Sequence, residues 1–148
     1  MSAVFPILVA QYYVGHGPNG MRPYGWHIIV QTGHDRRGDP IGTAYYVRGT
    51  TVGQWELQVE RNVRFRATSA YRGAARVGSV DAMRLGELEY QLTRAEIVQH
   101  SPDWGYQEWV CGALRRLYAR DFPIQDLVWK RMRTVMKGAE EAYDMFRD

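Results

Sequence analysis

The side chains best suited to nucleophilic or metal chemistry in this 148-residue chain are His16, His27, His34, His100 and Cys111. The histidines do not fall in zinc-ligand pairs, and one cysteine cannot complete a thiolate cluster, so neither a metal nor another cofactor is expected. Neither familiar phosphate-binding glycine loop occurs, nor a Gly-x-Ser-x-Gly elbow. Gly15, Gly17 and Gly20 lie between two strand-like stretches with no helix after them, and read as turn glycines. Cys/His chemistry remains, in which a helix N-terminus lowers the thiol pKa and a neighbouring strand supplies the histidine. Cys111 is poorly placed for this: it lies five residues past Tyr106, about 140° around the helix, beyond the reach of the N-terminal dipole.

The element that would position such a site runs through Pro102-Asp103-Trp104-Gly105-Tyr106-Gln107-Glu108-Trp109-Val110. Ser101 is a good N-cap, Pro102 suits the first helical position and Asp103 complements the dipole, so a helix is expected from Ser101 to about Arg120. Tyr106, Val110, Ala113, Leu114 and Leu117 recur at helical spacing and give it a buried face.

Upstream, residues 4–14 read as a buried first strand, residues 24–31 as a second and residues 42–48 as a third, with a polar loop at 32–40. A fourth strand is expected from Gly53. In it Trp55, Leu57, Val59, Val63 and Phe65 share one parity and charged or polar residues the other, which places one face on a core. Arg61 breaks that parity, so a bulge is expected near Arg61-Asn62. A short extended stretch at 76–80 precedes Asp81, an N-cap for a helix through Leu92, and a brief extended segment follows at 97–99. The last helix is expected over 125–146, with Val128, Met132, Val135, Met136, Ala139, Tyr143 and Phe146 as a stripe that packs on the core or on another helix.

These elements give an α+β fold: an antiparallel sheet of about five strands, mainly within residues 4–80, packed on helices within 81–148, as a single domain with a long C-terminal helix. The 45% hydrophobic and 24% charged content is ordinary for a globular chain. No apolar run approaches the roughly 20 residues of a membrane span, and Met1-Ser2-Ala3-Val4 carries no basic leader. With one cysteine, a cytoplasmic location without membrane association is expected. The net charge of +3 is carried mainly by arginine, Lys130 and Lys137 being the only lysines. Arg61, Arg64 and Arg66, with Arg72 and Arg76, could form an anion patch, although a solvated sheet face explains them more simply.

Certain segments resemble a known layout. Tyr24-Gly25-Trp26-His27-Ile28-Ile29-Val30, Gly42-Thr43-Ala44-Tyr45-Tyr46-Val47, Trp55, the helix at 80–92 and Asp103-Trp104-Gly105-Tyr106-Gln107-Glu108-Trp109-Val110 are similar to an uncharacterised fungal family. That family resembles circularly permuted papain-like proteins, among them the lecithin retinol acyltransferase-like and desumoylating peptidase-like groups. The resemblance covers roughly residues 4–120. It implies a His-Trp pair on the second strand and Trp-Asn-Cys-Gln-x-Trp-Val at the late helix. Trp26, Trp104, Gln107, Trp109 and Val110 match, whereas Gly25 stands at the histidine, Gly105 at the asparagine and Tyr106 at the cysteine. A phenol, with an ordinary pKa of about 10, is a poor substitute for a thiolate. The resemblance therefore implies the fold and a pseudoenzyme.

The resulting expectation is a non-catalytic protein that binds a peptide or an apolar small molecule in the degenerate groove, through Gly25, Trp26, His27, Tyr106, Gln107 and Trp109. Two alternatives stand beside it. One is an enzyme with altered acid/base chemistry, hydrolase- or acyltransferase-like, that uses a cluster of His27, Tyr106 and His100. The other is an anion or nucleic-acid binder through Arg61, Arg64 and Arg66, which ranks last because no nucleic-acid motif accompanies them. The C-terminal helix could also support homo-oligomers.

Overall fold

A computed structural model describes residues 3–18, 20–51, 54–126 and 128–146. Its strands are β1 (Val4–Tyr12), β2 (His16–Gly17), β3 (Gly20–Met21), β4 (Gly25–His34), β5 (Pro40–Thr51), β6 (Gln54–Val63) and β7 (Tyr71–Asp81). The helices are α1 (Leu85–Thr93), α2 (Tyr106–Ala119) and α3 (Trp129–Phe146), and a 3-10 turn over Ala82–Arg84 precedes α1. Among the described residues β6-β5-β4-β1-β7 form one five-stranded sheet with antiparallel neighbours, and β2 and β3 form a small separate hairpin. The α+β architecture and the long terminal helix expected from the sequence are thus present.

Strand pairing decides which side chains reach the helices. Ile7 lies opposite Val30, Val9 opposite Ile28 and Gln11 opposite Trp26, so these residues share one face. That face and the helices enclose the main core, which includes Leu88 and Leu92 of α1, Trp109, Leu114 and Leu117 of α2, and Met132 and Met136 of α3. The alternate residues Leu8, Ala10, Tyr12, Ile29 and Ala44 point to the other face, where they pack with Phe65 and Tyr71. Both faces of the central strands are covered, which explains their almost continuous apolar character.

The parity break in β6 is a bulge. Gly42 pairs with Val63 and Ala44 with Glu60, leaving an extra residue on β6, and Asn62 takes φ 56°. Gly53, the expected start of this strand, lies outside the described residues, as does Asn19 in the turn region of Gly15, Gly17 and Gly20. Asp81 caps the 3-10 turn that leads into α1, its carboxylate accepting the Met83 N–H at 2.8 Å, while α1 itself starts four residues later at Leu85 with Arg84 at its N-cap.

Several boundaries differ from expectation. The polar stretch at 32–40 shrinks to a loop at 35–39, because β4 and β5 continue their ladder to His34 and Pro40. β7 is longer than the expected 76–80 because it pairs with β1 along most of its length. α3 starts at Trp129 rather than Gln125: Ile124 bridges to Gly78 and the Gln125 N–H donates to Val77 O at 2.8 Å, so this segment runs extended along β7. Of its expected stripe, Met132 and Met136 are buried, Val135, Ala139 and Tyr143 half-buried and Val128 exposed, while the Phe146 side chain is outside the described set.

The start of α2 matters most for the site. It begins at Tyr106, five residues after Ser101, and Ser101 and Pro102 belong to a turn. Gly105 is the N-cap, with an extended backbone whose N–H donates to Glu108 Oε1 at 2.9 Å. A Cβ at Gly105 would meet the Trp55 ring at 3.0 Å. Glycine therefore lets an indole from the edge strand lie against the helix entrance.

Candidate functional site: an aromatic cleft at the sheet end

At one end of the sheet, where β1 finishes, β4 starts and β5 turns into β6, lies an open cleft of about 1240 Å³. Trp26 and Gln11 form part of its floor. Residues 100–108 with Trp55 make one wall, and Trp129, Arg133, Met136, Lys137 and Glu140 of α3 make the other. The size suits a ligand of drug-like or short-peptide dimensions.

Six aromatic side chains converge here from separate parts of the chain: Tyr24, Trp26, Trp55, Trp104, Tyr106 and Trp129. Trp55 is the centre of one corner. Its ring meets Tyr106 edge-on with centroids 4.9 Å apart, and Trp104 edge-on at 6.1 Å. Trp26 and Trp129 form a second, tilted pair at 5.8 Å.

Polar contacts fix the walls. Gln107 Nε2 donates to Tyr24 O at 2.9 Å, tying the first turn of α2 to the entry of β4. The Tyr24 hydroxyl donates to Glu140 of α3. Burial and this carboxylate push the Tyr24 phenol up to about 12. Gln11 is buried on the floor, and its amide nitrogen donates to Met136 O at 2.7 Å and Arg72 O at 3.0 Å, joining α3 to β1 and β7. On the opposite wall the Trp55 N–H donates to Gln99 Oε1 at 2.6 Å while Gln99 Nε2 donates to Trp55 O at 2.9 Å. One side-chain amide thus occupies the place of a neighbouring strand residue and pins the 97–104 segment to the sheet edge.

Of the residues expected at the site, Trp26, Tyr106 and Gln107 line the cleft. Gly25 sits beside them: a Cβ there would be 3.9 Å from the Tyr106 ring and 3.1 Å from Val14. Trp109 does not line the cleft; it is 1% exposed in the core beneath it, its indole nitrogen buried without a hydrogen-bond partner among the described residues.

His27 is also outside the lining. Two residues along β4 carry it about 6.6 Å from Gly25, and its ring stacks on Tyr46 at 3.8 Å and leans on Tyr12 at 4.5 Å. Burial lowers its pKa to about 3, so it is neutral near pH 7. His100 and Tyr106, which the enzyme alternative joined to His27, both line the cleft, and no hydrogen bond links the two among the described residues. Cys111 is buried in the main core, where burial, with Glu108 adding to it, pushes the thiol up to about 12.

The arginines expected as an anion patch are largely engaged elsewhere. Arg61 holds Glu89 with contacts of 2.9 and 3.0 Å, Arg64 approaches Asp35 at 3.4 Å and Arg66 lies over the Phe65 ring at 6.0 Å. Among the described residues no three metal-ligating side chains converge, and no helix is long and apolar enough to cross a membrane.

Sequence reasoning missed Tyr24, Trp129, Gln11 and Gln99, and treated Trp55 and Trp104 as markers of layout rather than as cleft walls. Their aromatic and amide types were visible, but only the fold joins positions so far apart in the chain. The sequence profile of a family of unknown function, DUF6540, matches residues 11–122. No curated protein and no solved structure matches the chain.

Proposed function

This chain belongs to DUF6540, a family of unknown function, and we propose that its member here is a non-catalytic binding protein that holds an apolar small molecule or a peptide in the aromatic cleft. The convergence of six aromatic side chains on one open cavity carries this reading. We further propose that the cleft is the degenerate active site of a fungal, circularly permuted papain-like fold. The approach of Gly25 to Tyr106 supports it, since these are the positions at which the resemblance puts the histidine and the cysteine. A glycine and a phenol there leave no thiolate–imidazole pair. The stacked neutral His27 and the buried Cys111 do not replace it.

The test uses the uncharged fluorophore N-phenyl-1-naphthylamine. Wild type should bind it with enhanced emission, and Tyr106→Ala or Trp129→Ala should weaken binding about tenfold, which is about 1.4 kcal/mol. Arg61→Ala, away from the cleft, should leave binding unchanged. Equal affinity in folded wild type, Tyr106→Ala and Trp129→Ala would remove the cleft from the account. Altered acid/base chemistry would now have to use His100, and a pH–rate profile abolished by His100→Gln would be its mark.

A further inference from the structure

The cleft's two long walls carry opposite charge. On the α3 wall stand Arg133 and Lys137 against one carboxylate, Glu140, whose oxygen receives the Tyr24 hydroxyl, and Arg22 from the turn before β4 also lines the cleft. None of the three cations forms an ion pair among the described residues; the Arg133 guanidinium rests over the Trp129 ring at 5.7 Å. On the other wall stand Asp103 and Glu108, with no arginine or lysine among the described lining residues there. Glu108 spends one oxygen on the Gly105 N–H, and Asp103 is exposed, with no ion pair among the described residues. A wall with one excess positive charge therefore faces a wall with two negative ones across apolar rings.

The sheet order sets the distance between them. Trp55 on β6 and Gln11 on β1 are separated by three strand spacings, about 14 Å. An extended peptide rises about 3.3 Å per residue, so about four residues span the floor. The acidic end is also where Trp55 meets both Trp104 and Tyr106 edge-on. Such a corner favours an ammonium by cation–π attraction.

Resting on the binding reading above, we infer that the ligand is a short peptide with both ends free, about four residues long. Its N-terminal ammonium sits in the Trp55–Trp104–Tyr106 corner beside Asp103, and its C-terminal carboxylate meets Arg133 and Lys137. Apolar side chains between the ends lie on Trp26 and Trp129. Charge complementarity at two separated points fixes both the length and the direction of the chain.

The experiment offers the protein a mixture of tetrapeptides built from Ala, Leu and Phe in four forms: free-ended, N-acetylated, C-amidated and blocked at both ends. Retention is measured by equilibrium dialysis alongside N-phenyl-1-naphthylamine. The free-ended form should be held most tightly, each block should weaken it at least tenfold, and added salt should narrow the difference. Lys137→Glu and Arg133→Glu should abolish the preference for a free carboxylate; Lys130→Glu, outside the cleft lining, should change neither that preference nor N-phenyl-1-naphthylamine binding. Equal retention of the blocked and free forms, or no peptide retained while the fluorophore binds, would overturn the peptide inference and leave the cleft standing. Failure of peptides and fluorophore together would remove both.

Discussion

At the residue scale, Gly105 and His27 have the clearest consequences. A methyl group at Gly105 would press on Trp55 at 3.0 Å, so Gly105→Ala should displace the indole, weaken fluorophore binding and destabilise the fold by about 1–3 kcal/mol. Gly112, on the same helix, has open space around its would-be Cβ. Gly112→Ala should instead stabilise by about 0.5–1 kcal/mol. Urea unfolding of the two variants checks the contrast. His27 bears on acid stability. Its pKa of about 3 in the folded state lies below the ordinary 6.5, so the unfolded chain binds the extra proton between those values. The contribution of neutral His27 is complete above about pH 6.5 and declines as pH falls towards 3, at up to about 1.4 kcal/mol per pH unit. His27→Phe should flatten that part of the stability–pH curve; an unchanged slope between pH 6 and 4 would contradict the buried neutral ring. The strand parity joining His27 to Gly25 was legible, but Tyr46 and Tyr12 covering the ring depend on pairing with β5 and β1, which sequence spacing alone does not show.

At the element scale, the cleft is held open by two glutamines. Gln99 joins the 97–104 segment to β6 through the backbone N–H and C=O of Trp55. Gln99→Ala should accelerate hydrogen exchange at the Trp55 amide by at least tenfold while amides in β1 and β4 keep their protection. Gln11 is the corresponding tie on the opposite side; replacing it by alanine removes one buried and one partly buried hydrogen bond and should cost about 1–3 kcal/mol, with α3 exchanging faster than α2. Elements whose signal is local were readable from sequence. The alternation of β6, its bulge at Arg61-Asn62 and the Asp81 cap each depend on a few consecutive residues. The start of α2 was not readable in that way. Ser101-Pro102-Asp103 is a sound helix opening by itself, but the Glu108 contact and the Trp55 ring at Gly105 move the start to Tyr106. Likewise the tie of Ile124 and Gln125 to β7 delays α3.

At the scale of the whole molecule, the five tryptophans divide by position in the fold. Trp26, Trp55, Trp104 and Trp129 border the cleft, and Trp109 is sealed in the core. Their types were plain in the sequence, yet nothing in their spacing separates the four from the fifth, because the cleft draws on β4, β6, the loop before α2 and α3. That division makes the central claim directly measurable. The measurement is a nitrogen–proton correlation spectrum of the five indole groups, assigned by single Trp→Phe variants, recorded while N-phenyl-1-naphthylamine is added. The account requires the Trp26, Trp55, Trp104 and Trp129 signals to move together and saturate, with Trp109 nearly unmoved. Static signals from all four, or a shift centred on Trp109, would contradict a ligand seated in the cleft.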